Sequence, residues 1–246
     1  TLVGENNAAA NTIVLNVVNA PLAADTVATI GGTEYTSLGD AITAATSGNE
    51  IIVLQKDVAL DARITIGAGI TLDGNDYTIT APNYRNDSTT AANDKGAILL
   101  NGGTIKDLTV VGPNSYTGGN WDNGEYGIKI YADDSVLENV TVTGANAGIQ
   151  VAADTTFKGT IDVSGNEFGG IEVKDQATLT IDADATLVNS TETHDAPTIW
   201  IDPTSTDAAT DCGTVNGGDL QVVKVTVNGD EKVYFYVDTA NTVAKA

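Results

Sequence analysis

Gly127-Ile128-Lys129-Ile130, Gly148-Ile149-Gln150-Val151, Gly170-Ile171-Glu172-Val173 and Thr198-Ile199-Trp200-Ile201 are four versions of one short phrase. Their leading isoleucines, Ile128, Ile149, Ile171 and Ile199, stand 21, 22 and 28 residues apart. Within each phrase the apolar residues flank a third position that is usually polar. That is period 2, a strand with one face in a core. A short strand returning every twenty-odd residues is the pattern of a solenoid, whose stacked coils bury a shared interior.

The first three phrases are each followed by a second strand candidate. These are Val136–Val142, Phe157–Val163 and Thr178–Ile181. Asn114, Asn146, Asn166 and Asn189 come after the second strands at spacings of 32, 20 and 23. They suit a ladder of turn asparagines, or single asparagines tolerating left-handed backbone. Upstream, Ile64, Ile66, Ile70, Leu72 and Ile79 and then Ile98, Leu100, Ile105, Leu108 and Val110 continue the alternation. Polar insertions interrupt it at 82–95 and 112–125, the second holding Tyr116 and Trp121.

The two ends read differently. Thr12–Val18 is a strand apolar on nearly both faces, which expects cover on both sides. Ile13, Val14, Leu15, Val17 and Val18 are therefore candidates for an assembly strand that pairs with a neighbouring subunit. The alternative is an ordinary strand folded back on the body. At the C-terminus, Leu220–Val227 and Lys232–Val237 flank Asn228-Gly229, the pattern of a hairpin. Val233, Phe235 and Val237 are its expected core face, and Tyr234 and Tyr236 its partly covered one. The resulting division is an extension at 1–25, a solenoid at 26–218 and a hairpin with tail at 219–246.

Between the extension and the body lies "ATIGGTEYTSLGDAITAATSGNEIIVLQKDV", residues 28–58. It holds a strand with a Gly-Gly turn and then a short helix near 37–46. Ser37 or Thr36 is the N-cap, Asp40 lies in the first turn, and Leu38, Ile42 and Ala45 share one face. This stretch resembles the start of right-handed parallel β-helix modules of bacterial surface proteins, in the pectin-lyase-like fold group. The resemblance implies an all-β chain, a single-stranded right-handed parallel β-helix of about seven coils. It would carry a short N-terminal cap helix and a C-terminal β-hairpin. It also implies secretion and exposure at a cell surface. That fold group hosts lyases, hydrolases, adhesins and structural proteins, so the fold does not name an activity.

Composition narrows the classes. The 246 residues carry 33 acidic and 11 basic side chains, a net charge of −22, and Arg63 and Arg85 are the only arginines. Phosphate recognition needs clustered Lys and Arg, so nucleic acid is not an expected partner. No run reaches the roughly 18 apolar residues of a membrane span, so membrane insertion is not expected either. The carboxylates read as a solvated surface, or as oxygen ligands for Ca²⁺, the one cofactor this composition suits. Cys212 and His194 are single, which excludes a zinc site of the usual kinds. The sequence holds no methionine, which suggests a processed chain or a fragment whose leader is lost.

Chemistry is harder to find. Lys129, Gln150, Glu172 and Trp200 occupy equivalent outward positions and should form a column on an exposed face, Lys129 and Glu172 about 10 Å apart. With Trp200 as a stacking surface the column is a candidate glycan-binding face. The alternative is a solvated face with Trp200 tucked under the C-terminal hairpin. Asp133-Asp134 lies in a turn, and His194 lies in a loop as an expected surface residue. Lyases of the resembled group need a calcium-binding carboxylate cluster and a basic residue, and hydrolases need paired carboxylates. No such set is recognisable. Three glycosylation sequons begin at Asn86, Asn139 and Asn189, and the one at Asn139 falls within a strand.

The expected function is therefore structural: a self-associating unit of a surface layer, an extracellular fibre or an adhesin stalk. A polysaccharide lyase or glycoside hydrolase is the alternative, and a calcium-dependent module binding surface glycans is the third reading. A groove uniting Lys129, Glu172 and Asp133 would favour the enzyme.

Overall fold

A computed structural model describes residues 2–7, 12–17, 21–45, 48–84, 95–113, 126–201, 213–227 and 230–243. The turn at Asn228-Gly229, Val18, Arg85, Asn86, Asn114, Tyr116, Trp121 and Cys212 lie outside the described residues, as do most of the two polar insertions.

Nearly all regular structure is β, and most of it is parallel. An eight-stranded sheet contains β7 (Ile64–Gly67), β10 (Ile98–Asn101), β12 (Tyr126–Ala132), β14 (Ala147–Val151), β16 (Ile171–Val173) and β19 (Ile199–Ile201), hydrogen-bonded in that order. A twelve-stranded sheet runs beside it through β5 (Glu50–Leu54), β8 (Ile70–Asp73), β11 (Thr104–Val111), β13 (Ser135–Thr143), β15 (Thr155–Asp162), β17 (Thr178–Ile181) and β20 (Thr214–Asn216). Three short strands lie off that path: β6 (Val58–Ala59), β9 (Thr78–Thr80) and β18 (Thr186–Val188). The chain thus alternates between the sheets, β10 to β11, β12 to β13 and β14 to β15. Each visit adds a strand parallel to the previous one in that sheet.

The four phrases pair in register. Ile128, Ile149, Ile171 and Ile199 are successive partners, as are Ile130, Val151, Val173 and Ile201. All eight enter one apolar core shared with Leu137, Val140, Val142, Phe157 and Ile161 of the other sheet. Burying each such side chain contributes about 1.5–3 kcal/mol.

The leading glycines mark the corner where the chain enters the eight-stranded sheet. A Cβ on Gly127 would overlap Val142 Cγ1, and one on Gly170 would overlap Val163 Cγ2 and the Thr198 carbonyl. Backbone and core side chains approach too closely there for any side chain. Asn166, the turn asparagine before the Gly170 corner, is structural. Asn166 donates from Nδ2 to the carbonyls of Val142 and Val163, both at 2.8 Å, and its Oδ1 accepts from the Ala145 N–H at 3.0 Å. Its amide therefore ties one turn to the backbone of the preceding one.

Both ends switch to antiparallel pairing. At the N-terminal end β3 (Ala28–Ile30) and β4 (Thr33–Tyr35) form a hairpin whose turn is Gly31-Gly32, both at positive φ, and β3 pairs with β5. The helix α1 (Leu38–Ala44) follows; Ser37 is its N-cap and accepts from the Asp40 N–H at 3.1 Å. It packs on β3, β4, β5 and β7 and buries Leu38 and Ala41 in the shared core. At the other end β21 (Gln221–Val227) and β22 (Asp230–Tyr236) form the expected antiparallel pair, and β22 adds to β19. Phe235 enters the core, as the alternation predicts.

The early strand pairs in a way its sequence does not reveal. β2 (Thr12–Val17) is antiparallel to β1 (Leu2–Asn7), with Leu2 opposite Val17 and Asn7 opposite Thr12. The two make a sheet of their own. No helix among the described residues is long and apolar enough to cross a membrane.

Candidate functional site

Register builds the outward column directly. Thr65, Leu99, Lys129, Gln150, Glu172, Trp200 and Tyr234 are successive partners across seven strands of the eight-stranded sheet. Lys129, Gln150, Glu172 and Trp200 do share one face, as their spacing requires. The expectation that this face is open is corrected: they are 0, 3, 8 and 3% exposed. Period 2 shows which side chains avoid the first core, and it is silent on whether a second layer covers them. At that burial Trp200 offers no surface on which a sugar could stack.

The column is a connected polar network. Gln150 Nε2 donates to Glu172 Oε2 at 2.6 Å, and the Tyr126 hydroxyl donates to the same oxygen at 2.7 Å. On the other side of the amide, the Tyr131 hydroxyl donates to Gln150 Oε1 at 2.6 Å. The ammonium of Lys129 lies over the Tyr126 ring, 5.8 Å from its centroid. Tyr126 reaches Glu172 across β14 because its own partner there is the small Ala147. Burial, and next the Glu172 charge, hold the Tyr126 phenol well above the ordinary tyrosine range. Tyr131 is raised by burial, then by Glu172 and Asp175, against the opposing charge of Arg63. Sequence reading missed both tyrosines. The available signal was their position, one just before and one just after a Gly-Ile-x-Ile phrase.

Further along, the column turns aromatic. Trp200 meets Phe168 edge to face at 5.4 Å and clusters with Tyr126, Ala147, Tyr234 and Tyr236. Tyr234 and Tyr236 are therefore buried, not partly covered: β22 extends the sheet, Tyr234 stands beside Trp200 in register, and both tyrosines join its aromatic cluster. His194 is half-buried rather than a surface residue: its ring stacks on Tyr236 at 6.5 Å. The Tyr236 hydroxyl donates to the His194 carbonyl at 2.8 Å. Beside it the buried Glu192 accepts from the N–H groups of Val237 and Asp238, from Asn241 Nδ2 and from the Thr198 hydroxyl. This carboxylate fastens the chain after β22 to the loop before β19.

Asp133 lies elsewhere. It sits in the turn between β12 and β13 and accepts from the Asp154 N–H at 3.0 Å, while Asp154 accepts from the Thr178 N–H at 2.7 Å. These stacked turns line an open groove of about 500 Å³ with Tyr131, Asp175 and Gln176. Neither Lys129 nor Glu172 lines it, so the convergence that would favour an enzyme does not form in this groove. Among the described residues no three His, Cys, Asp or Glu side chains are placed to hold a metal ion.

The remaining sequence candidates lie within strands and turns. Asn139 falls within β13 at φ 53°, its Nδ2 donating to Asp107 Oδ1 at 3.0 Å. Asn189 is buried, its Oδ1 accepting from the Thr191 N–H. Ile13, Val14, Leu15 and Val17 lie on β2, opposite Asn6, Glu5, Gly4 and Leu2 of β1.

No family model, no curated protein and no solved structure matches the chain.

Proposed function

We propose that the chain is a non-catalytic structural subunit of an extracellular assembly, a surface layer, fibre or adhesin stalk. In this reading it is secreted and self-associates through strand addition and end-to-end contacts. The body is read as a right-handed parallel β-helix of the pectin-lyase-like group, the hand following from the rule for parallel crossovers. Alternation of the chain between two in-register parallel sheets around one core supports that reading.

The observation that carries the assembly proposal is the pairing of β1 and β2 with each other and with neither sheet of the body. A two-stranded hairpin is marginally stable alone and gains by adding to an open sheet edge. Among the described residues the body ends in such an edge: β21 is the outermost strand of the eight-stranded sheet, seven residues long against six in β2, with Val222 57% exposed. Unpaired edge groups are a template for a second copy.

Deletion of residues 1–20 tests the proposal. Sedimentation and electron microscopy of the intact chain should show oligomers or filaments that the truncated chain lacks. Equal self-association of the two proteins, or a monomeric intact chain, would overturn it.

A further inference from the structure

The polar column holds the parts of an amide-exchange reaction, and we propose that Lys129 and Gln150 become joined by an intramolecular amide bond between β12 and β14. The two residues are direct partners in register, so their side chains rise side by side from neighbouring strands about 4.8 Å apart. Both are removed from water, Lys129 completely. A desolvated lysine amine is a competent nucleophile toward a carbonyl carbon.

The carboxamide of Gln150 is held at both ends. Tyr131 donates to its oxygen at 2.6 Å, where negative charge grows as the carbonyl is attacked. Glu172 accepts from its nitrogen at 2.6 Å, where the leaving group departs. Tyr126 links the third partner to this pair, since its ring lies under the Lys129 ammonium and its hydroxyl bonds the same Glu172 oxygen.

The reaction balances without an added reagent. Glu172 takes a proton from the Lys129 ammonium, and Nζ attacks Cδ of Gln150. Tyr131 stabilises the oxyanion, and the C–N bond to Nε2 then breaks. Glu172 returns the proton to the departing nitrogen, and the second proton of the attacking amine follows it, so that nitrogen leaves as ammonium. One amide replaces another and no redox change occurs. The product would staple two adjacent strands covalently, a link that pulling along the sheet cannot open by breaking hydrogen bonds alone. It stands independently of the assembly reading.

Intact mass of the denatured full chain tests it. The expected mass is lower than that of the sequence by one ammonia, and a protease digest should yield a branched peptide joining the Lys129 and Gln150 segments. Location matters, because ring closure at Asn101-Gly102, Asn123-Gly124, Asn216-Gly217 or Asn228-Gly229 gives the same change in mass. An unaltered mass, a loss of water instead of ammonia, or a loss confined to an Asn-Gly step would overturn the proposal. Two further full-length proteins probe the roles: Glu172→Gln should form the link about a hundredfold more slowly, and Tyr131→Phe should slow it while leaving the fold intact. Formation at the wild-type rate in both would overturn the mechanism.

Discussion

The hydroxyl of Tyr126 and the carboxylate of Glu172 meet at 2.7 Å although 46 residues of chain separate them. The bond spans from β12 to β16 and crosses the intervening β14. It therefore links three successive strands on the face away from the apolar core, with Gln150 of the middle strand bonded to the same oxygen. A buried carboxylate left short of a donor is costly, typically by about 1–3 kcal/mol.

Tyr126→Phe should accordingly lower stability by about 1–3 kcal/mol in urea unfolding, with strand content unchanged by circular dichroism. A cost near zero would show that Glu172 finds another donor and that the bond contributes nothing net.

Alkaline conditions should weaken the C-terminal hairpin. The Tyr236 phenol is pushed up to about 12 from 10.0, first by burial and then by Tyr234, Glu192 and Asp195. The fold favours its neutral form, so its contribution is complete below about pH 10 and is lost as pH rises through the folded value. Absorbance titration of tyrosinate should show a late-ionising component that loses one phenol in Tyr236→Phe, the raised Tyr126 and Tyr131 remaining. An identical titration in the variant would refute the assignment.

At acid pH the sensitive position is Asp107. Its carboxyl is held below the usual 3.8, first by the Asn139 amide and further by Lys106, against the opposing effect of burial. Its stabilising contribution is present above pH 3.8 and disappears as pH falls through the lowered folded value. Asn139→Ala removes the main cause, so its acid-unfolding midpoint should lie at higher pH than that of the wild type. Equal midpoints would mean that this carboxylate does not govern acid tolerance.

Glu192 makes the most concentrated attachment of the C-terminal segment. It accepts from Val237 at 2.9 Å, Asp238 at 3.0 Å and Asn241 at 3.1 Å. Glu192→Ala should speed hydrogen exchange at the Val237 and Asp238 amides by about tenfold or more, since each lost bond to a charged acceptor is worth about 1.5–3 kcal/mol. Exchange in β12 and β14 should stay unchanged, and an equal rise there would indicate general unfolding instead of a released clasp.

How much of this was readable in advance depends on the reach of each interaction. The Gly-Ile-x-Ile phrases, the helix cap at Ser37 and the hairpin after Leu220 are local patterns. They are set by backbone sterics, by short-range hydrogen bonding and by the alternation of side chains along a strand. These determined the strands, their spacing and the identity of the column Lys129, Gln150, Glu172 and Trp200. Alternation could not say that the column is closed, because covering a second face depends on residues distant in sequence. Tyr126 reaches Glu172, Tyr131 reaches Gln150, and Glu192 reaches Val237 only after register has brought separate strands together. The pairing of β2 with β1 was hidden for a related reason: Leu2–Asn7, with Gly4, Asn6 and Asn7, has little intrinsic strand character and gains it from its partner. Local chemistry in the sequence thus determined the repeating strand, while tertiary structure decided which polar side chains lost their water and which groups replaced it.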